Sequence, residues 1–149
     1  MSQVTASIAI DAPPEKVWAT VMDPDCLEQW VTIHRSLLRA DEGAPRVGFR
    51  MDQRIHLRGV TVEVHWELVH CEEYRRAVWE GHGPARSRAH TEYLLKPAEG
   101  GTHFDYRNDF HAPLGPIGAI VSRALVGGIP QREANRTLTE LKAQIEQQK

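Results

Sequence analysis

The sequence predicts an α+β fold: a seven-stranded antiparallel sheet covered by one long C-terminal helix, with two short helices after the first strand. Three observations predict it. Residues 33–111 alternate polar and apolar positions between short turn signals, as half-buried strands do. The connections between these runs are too short for a parallel crossover, which takes a dozen or more residues, so neighbours pair antiparallel. From Pro116 the period turns helical, and Ala134, Leu138, Leu141 and Ile145 fall on one stripe.

Each element has its own signal. Ser7-Ile8-Ala9-Ile10 alternates at period two and reads as the first strand. Pro13 or Pro14 suits a first helical position, where the missing N–H would be unpaired anyway, and Glu15 meets the positive end of the helix dipole. Val17, Trp18 and Val21 share one face of this helix. Asp23-Pro24 repeats the start signal, and Leu27, Trp30 and Val31 form the apolar side of a second short helix. The second strand is predicted over 33–40, ended by Asp41-Glu42-Gly43-Ala44-Pro45. In the third, Val47, Phe49, Met51, Gln53 and Ile55 alternate with polar residues or glycine, and Gln53 is the one polar residue in the apolar phase. Arg58-Gly59 makes a tight connection to the fourth strand, 60–68, whose valines, Trp66 and Leu68 alternate cleanly.

The fifth strand spans 77–82, closed by Gly83-Pro84. The sixth spans 87–95, before a turn over 97–101, and the seventh spans 103–110. Ile117, Val121, Ala124 and Leu125 lie on one side of a first helical stretch. Gly127-Gly128-Ile129-Pro130 then kinks or breaks the helix, because proline lacks a donor and clashes with the preceding turn. A one-sided antiparallel sheet needs a cover, and only the C-terminal helix is long and amphipathic enough to supply it.

With 149 residues, 41% of them apolar and 26% charged, the chain reads as a single domain, 1–149, with a core that needs no disulfide or metal. A formal net charge of −2 with scattered lysines and arginines excludes a nucleic-acid role. No basic-then-apolar leader is visible at the N-terminus. The most apolar stretch, 117–129, is too short and too broken to be an integral membrane segment. Cys26 and Cys71, without CxxC spacing, read as free thiols in a reducing cytoplasm.

Taken together, the strand of 7–10, the proline-started helix and the second helix ending on Trp30 resemble the entry to the START-like, helix-grip (SRPBCC) superfamily. The resemblance is strongest to its bacterial polyketide cyclase/dehydrase and lipid-transport branch, and it covers essentially the whole chain. It implies that the sheet curls around the C-terminal helix and leaves a ligand cavity between them, roofed by loops and the two short helices.

If the apolar phase of each strand faces that cavity, Gln53, Ser87, Thr91, Tyr93, Tyr106 and Asn108 are its polar lining. Phe49, Met51, Trp66, Trp79, Phe104 and Phe110 are then its apolar lining. Apolar walls with a few placed hydrogen-bonding groups suit a hydrophobic small molecule. Equally, each of these polar groups could simply satisfy a neighbouring backbone group.

His34, near the expected mouth, is the candidate catalytic residue, as acid, base or carbonyl donor near neutral pH. Its phase is shared with Ser36, Leu38 and Ala40. No metal is expected: His56, His65, His90, His103 and His111 fall in the polar phase, and no HxH, HxxxH or HExxH pair occurs. No cofactor is expected either, since GxSxG, phosphate-loop and dinucleotide patterns are absent.

Three functions follow in order. The first is a binding or carrier protein for a lipid, polyketide or isoprenoid. The second is a cyclase or dehydratase using His34 with Tyr93, Tyr106 and Asn108 as donors. The third is a protein-interaction module without ligand. The sequence leaves the oligomeric state open.

Overall fold

The computed structural model describes residues 2–111 and 128–147. The first helical stretch expected around Ile117, Val121, Ala124 and Leu125, and Gly127 at the start of the expected interruption, lie outside the described residues.

The first strand is β1 (Ser2–Ile10), followed by α1 (Pro14–Val21), a 3-10 turn (Pro24–Cys26) and α2 (Leu27–Trp30). Six further strands follow: β2 (His34–Ala40), β3 (Arg50–Leu57), β4 (Val60–Glu72), β5 (Arg76–His82), β6 (Arg88–Ala98) and β7 (Gly101–His111). The last element is α3 (Gln131–Glu146). The strands form one sheet in the order β1-β7-β6-β5-β4-β3-β2, and every neighbouring pair is antiparallel.

Helix starts follow the chemistry of their first residues. Pro14 opens α1 with Glu15 in its first turn, and Val17, Trp18 and Val21 are buried. Asp23 caps the next turn by accepting from the Asp25 N–H at 2.9 Å. Residues 128–130 are not helical. Gly128 has φ 62, and the extended Pro130 is the N-cap of α3, so the expected interruption stands at these residues. From there Ala134, Leu138, Leu141 and Ile145 bury one stripe of the helix, joined by Thr137.

α3 packs along β1 and closes its outer edge. Gln131 donates to the Thr5 carbonyl at 2.8 Å, Lys142 donates to that of Ala9 at 3.0 Å, and Glu146 accepts from the Asp11 N–H at 2.9 Å. An open edge would otherwise be a template for pairing with another chain. On its other side α3 is tied to the link between α2 and β2, where Thr32 donates its hydroxyl to Glu133 at 2.6 Å and its N–H to Thr137 at 3.1 Å.

Several boundaries differ from the sequence expectation, each for a local reason. Val47 is 61% exposed, because β3 begins only at Arg50 and Gly48, with φ 95, redirects the chain between them. In β2, register shifts after His34 and after Leu37 reset the parity. Leu37 therefore packs on the core while Leu38, expected to share the inward phase of His34, is 40% exposed. β4 runs on to Glu72 through a shift between Leu68 and His70, which returns Cys71 to the core side. β6 carries Pro97 into the sheet opposite Thr102, so the turn expected over 97–101 shrinks to Glu99-Gly100. Arg58-Gly59 makes the tight turn that was expected, both residues having positive φ, as a two-residue hairpin of this hand requires.

Candidate functional site

The sheet face toward α3 is divided along the strands. One end is filled. Phe104, Leu95 and Ile10 are fully buried there, together with Val17 of α1, and the C-terminal part of α3 lies beside this end of β1. At the other end, the described residues enclose a cavity of about 100 Å³. Its roof comes from Met22, Pro24, Leu27, Trp30, Val31 and Ile33, the segment running from the end of α1 to the start of β2. Ile129, Ala134 and Thr137 bound it from the α3 side. Arg58, at the β3–β4 turn, donates to the Gly128 carbonyl at 2.7 Å and so ties that hairpin to the approach of α3.

The structure places the sequence-predicted site residues as follows. Met51, Gln53, Trp66 and Trp79 line the cavity from β3, β4 and β5. Thr91, Tyr93, Tyr106, Asn108 and Phe110 line it from β6 and β7. Ser87 lines it too, but from the turn before β6, and its hydroxyl donates to the Pro84 carbonyl at 2.8 Å.

Phe49 and Phe104 do not line the cavity; they are core residues. Phe49 packs edge-on against Trp79 with ring centroids 6.1 Å apart, and Phe104 lies against Tyr93 at 5.7 Å. Parity along a strand reports the face of a residue and carries nothing about which end of the face is filled.

His34 also stands outside the lining. Its Nδ1 lies 2.9 Å from Gln53 Nε2, and Gln53 Oε1 accepts from the Trp66 indole at 2.8 Å. An indole N–H only donates, so Gln53 must turn its oxygen to Trp66 and its amide N–H to His34. His34 Nδ1 is thereby the acceptor, and its proton sits on Nε2. Burial lowers the His34 pKa below the ordinary histidine value, against an opposing pull from Glu28. The ring is held neutral from both sides. Gly81 makes room for this arrangement: a Cβ there would come within 2.7 Å of the Trp66 ring.

On the opposite wall, Thr91 and Asn108 are directly paired across β6 and β7, and so are Tyr93 and Tyr106. Asn108 donates to the Thr91 hydroxyl at 2.7 Å. The tyrosine rings stack at 6.2 Å, and Trp30 meets Tyr93 edge-on at 5.9 Å. Burial pushes both tyrosine hydroxyls well above the usual phenol range. Tyr106 adds to the effect on Tyr93, while Asn108 opposes the effect on Tyr106. Both stay protonated. Trp30 is 1% exposed, and its N–H is buried without a hydrogen-bond partner among the described residues. Sequence reasoning assigned Trp30 only to the apolar side of a helix. An orphaned donor leaves no mark on hydrophobic periodicity.

The only charged side chain among the described lining residues is Arg88, which is exposed at the rim. The histidines expected to face outward occupy the outer face, several against carboxylates: His65 with Asp52 at 2.8 Å, His90 with Glu80 at 2.6 Å and His103 with Asp105 at 3.1 Å. Glu63 joins Asp52 and His65 in one exposed cluster, where alternate residues of paired strands meet. Among the described residues, no helix is long and apolar enough to cross a membrane.

Comparison with known proteins agrees with this architecture. The family described as polyketide cyclase / dehydrase and lipid transport matches residues 1–146. A Mycobacterium tuberculosis (strain H37Rv) protein named Toxin Rv0910 is 26% identical over 137 residues, covering 91% of this chain and 95% of that protein. Among solved structures, TTHA0849 from Thermus thermophilus superposes with a TM-score of 0.73 at 22% identity, over 98% of each chain. DR_A0006 from Deinococcus radiodurans does so at 0.72, again with 22% identity, over 100% of each. These two share the helix-grip fold.

Proposed function

The chain belongs to the polyketide cyclase / dehydrase and lipid transport family, and on that premise we propose that it binds and carries a neutral hydrophobic small molecule in the cavity between sheet and α3. The observation that carries this reading is the cavity itself: apolar over most of its wall, with its hydrogen-bonding groups gathered in two places. At about 100 Å³ it is smaller than the ~300–1,000 Å³ of drug-sized sites. A small ring system fits such a space, or one end of a longer lipid, polyketide or isoprenoid.

Carriage is favoured over catalysis by the groups around the cavity. Cyclisation of a carbon acid takes a base beside the substrate and donors for the enolate oxygen. No carboxylate lines the cavity among the described residues, and the one candidate base, His34, spends its basic nitrogen on Gln53. A cytoplasmic setting suits the two free thiols. Burial, helped by Asp23, pushes Cys26 up to about 11, and burial raises Cys71 as well, so both are poor nucleophiles.

The test is native mass spectrometry of the protein purified from its host, before and after organic extraction, followed by titration of the extracted protein with naphthalene. A co-purifying apolar mass that extraction removes, and tryptophan emission that changes on titration, are expected because Trp66 and Trp79 stand in the wall. A single unliganded mass in both preparations, with emission unmoved by naphthalene, would end the carrier reading.

A further inference from the structure

The two polar sets of the cavity differ in how much hydrogen-bonding capacity they have left. On the β3–β4 wall Trp66, Gln53 and His34 hold one another in one chain of hydrogen bonds. Gln53 accepts from the indole and donates to the imidazole, and the His34 ring stands outside the cavity lining. What that wall has left for a ligand is one N–H and one lone pair on Gln53.

The β6–β7 wall is open. Thr91, having accepted from Asn108, still has its own hydroxyl proton to donate. Tyr93 lines the same wall with its ring stacked on Tyr106, and its hydroxyl makes no hydrogen bond to any described residue. Trp30, edge-on to the Tyr93 ring, carries a buried indole N–H with no acceptor among the described residues. Leaving a buried donor unmade is costly, so such groups in a cavity wall await a partner that the protein does not supply. The indole can only donate, the two hydroxyls can donate as well as accept, and all three groups are neutral, so an acceptor atom on a neutral partner satisfies all of them.

We propose that the cavity selects its ligand through this one wall: Trp30, Tyr93 and Thr91 offer hydrogen bonds to acceptor oxygens, carbonyl or ether, on one edge of a neutral and otherwise apolar molecule. The hydrocarbon edge of that ligand lies against Met51, Ile55, Val62 and Val64 across the cavity. Among the described residues a carboxylate or phosphate would find only neutral groups inside, with Arg88 at the rim. The ligand class is therefore a ketone, quinone, lactone or aryl ether, rather than a fatty acid bound head-first. This deepens the carrier reading and rests on it.

A matched pair of probes separates the two. Indane and 1-indanone share shape and differ by one carbonyl oxygen. The ratio of their association constants, measured by titration monitored by NMR, cancels most of the cost of entering the cavity. Removing one donor isosterically should lower the 1-indanone to indane ratio by about three- to tenfold. That drop is expected in Tyr93→Phe, whose hydroxyl holds no other described residue, while indane binding stays within about twofold of wild type. In wild type, the assigned Trp30 indole proton should move downfield with 1-indanone and not with indane. If both probes bind and Tyr93→Phe leaves the ratio unchanged, the donor-wall inference is overturned and the carrier reading stands. If neither probe binds wild type, both fall. An equal shift of the Trp30 proton with the two probes removes Trp30 from the donor set.

Discussion

The half of the sheet built from β1, β7 and β6 is regular, and the half built from β2, β3 and β4 is not. β6 and β7 pair without interruption from Arg88–His111 to Ala98–Gly101, and β1 continues that register across the whole of β7. In the other half, the register breaks twice between β2 and β3 and again between β4 and β5. Bulges bend a strand and increase its twist. The irregular half therefore bends over the cavity that both halves line, while the regular half carries α3 along β1.

The sharpest way to break this comparison is to strike the regular half where α3 meets it. Leu141 is fully buried, and Leu141→Ala should cost about 2–5 kcal/mol in urea melts, as a cavity-creating core truncation does. A loss under about 0.5 kcal/mol, the ordinary surface range, would contradict the packing of α3 described above.

Next in size, Gly81→Ala brings a methyl group against the Trp66 ring and should cost about 1–3 kcal/mol through overpacking. The Trp66 indole proton should also lose the downfield position that its bond to Gln53 gives it. If that proton keeps its position, Trp66 is not held where the irregular half places it.

Comparable or slightly smaller is Gln53→Leu, which strands the Trp66 N–H and His34 Nδ1 together. About 1–2 kcal/mol is expected by urea denaturation, and the His34 pKa should rise, because the donor that favours the neutral ring is gone. A histidine titration by NMR that shows no rise would dissolve the proposed tautomer.

The smallest effect is pH dependence. The folded His34 pKa lies below the unfolded value near 6.5, so between the two the unfolded chain binds more protons. Stability from this group is complete above pH 6.5 and is lost as pH falls below that value toward the folded pKa. Comparing urea midpoints at pH 7.5 and 5.5, wild type should lose more than His34→Asn, in which an amide oxygen replaces the accepting nitrogen. Equal losses would show that His34 is not held neutral.

The same contrast explains what was legible in the sequence. In β6 and β7 the alternation of Thr91, Tyr93 and Leu95, and of Phe104, Tyr106 and Asn108, maps directly onto the buried face, because nothing interrupts the pleat. The stripe on α3 was equally plain, since a helix has no register to lose. In β2, by contrast, Leu37 and Leu38 are adjacent and both apolar, so the sequence does not say which one turns inward; the bulge decides. Gln53 was recognisable as a polar residue in an apolar phase. That its amide is consumed by Trp66 and His34 depends on three strands meeting in space. Phe49 and Phe104 read as cavity wall on parity alone, and only the position of α1 and α3 along the sheet turns them into core.

The closure of β1 by α3 has a consequence for how the chain comes to be made. β1 pairs with β7 about a hundred positions later, and the bond from Asp11 to Glu146 spans 135 positions. At roughly 5–20 residues per second of synthesis, the first strand waits several seconds or more for any native partner. Such long-range pairing is slow to form even in the finished chain. Throughout that interval Val4, Ala6 and Ile8 remain an apolar strand with both edges bare. The edge of β1 that β7 leaves bare is thus covered only once α3 has been made and docked, and until then it stays open to pairing with another chain.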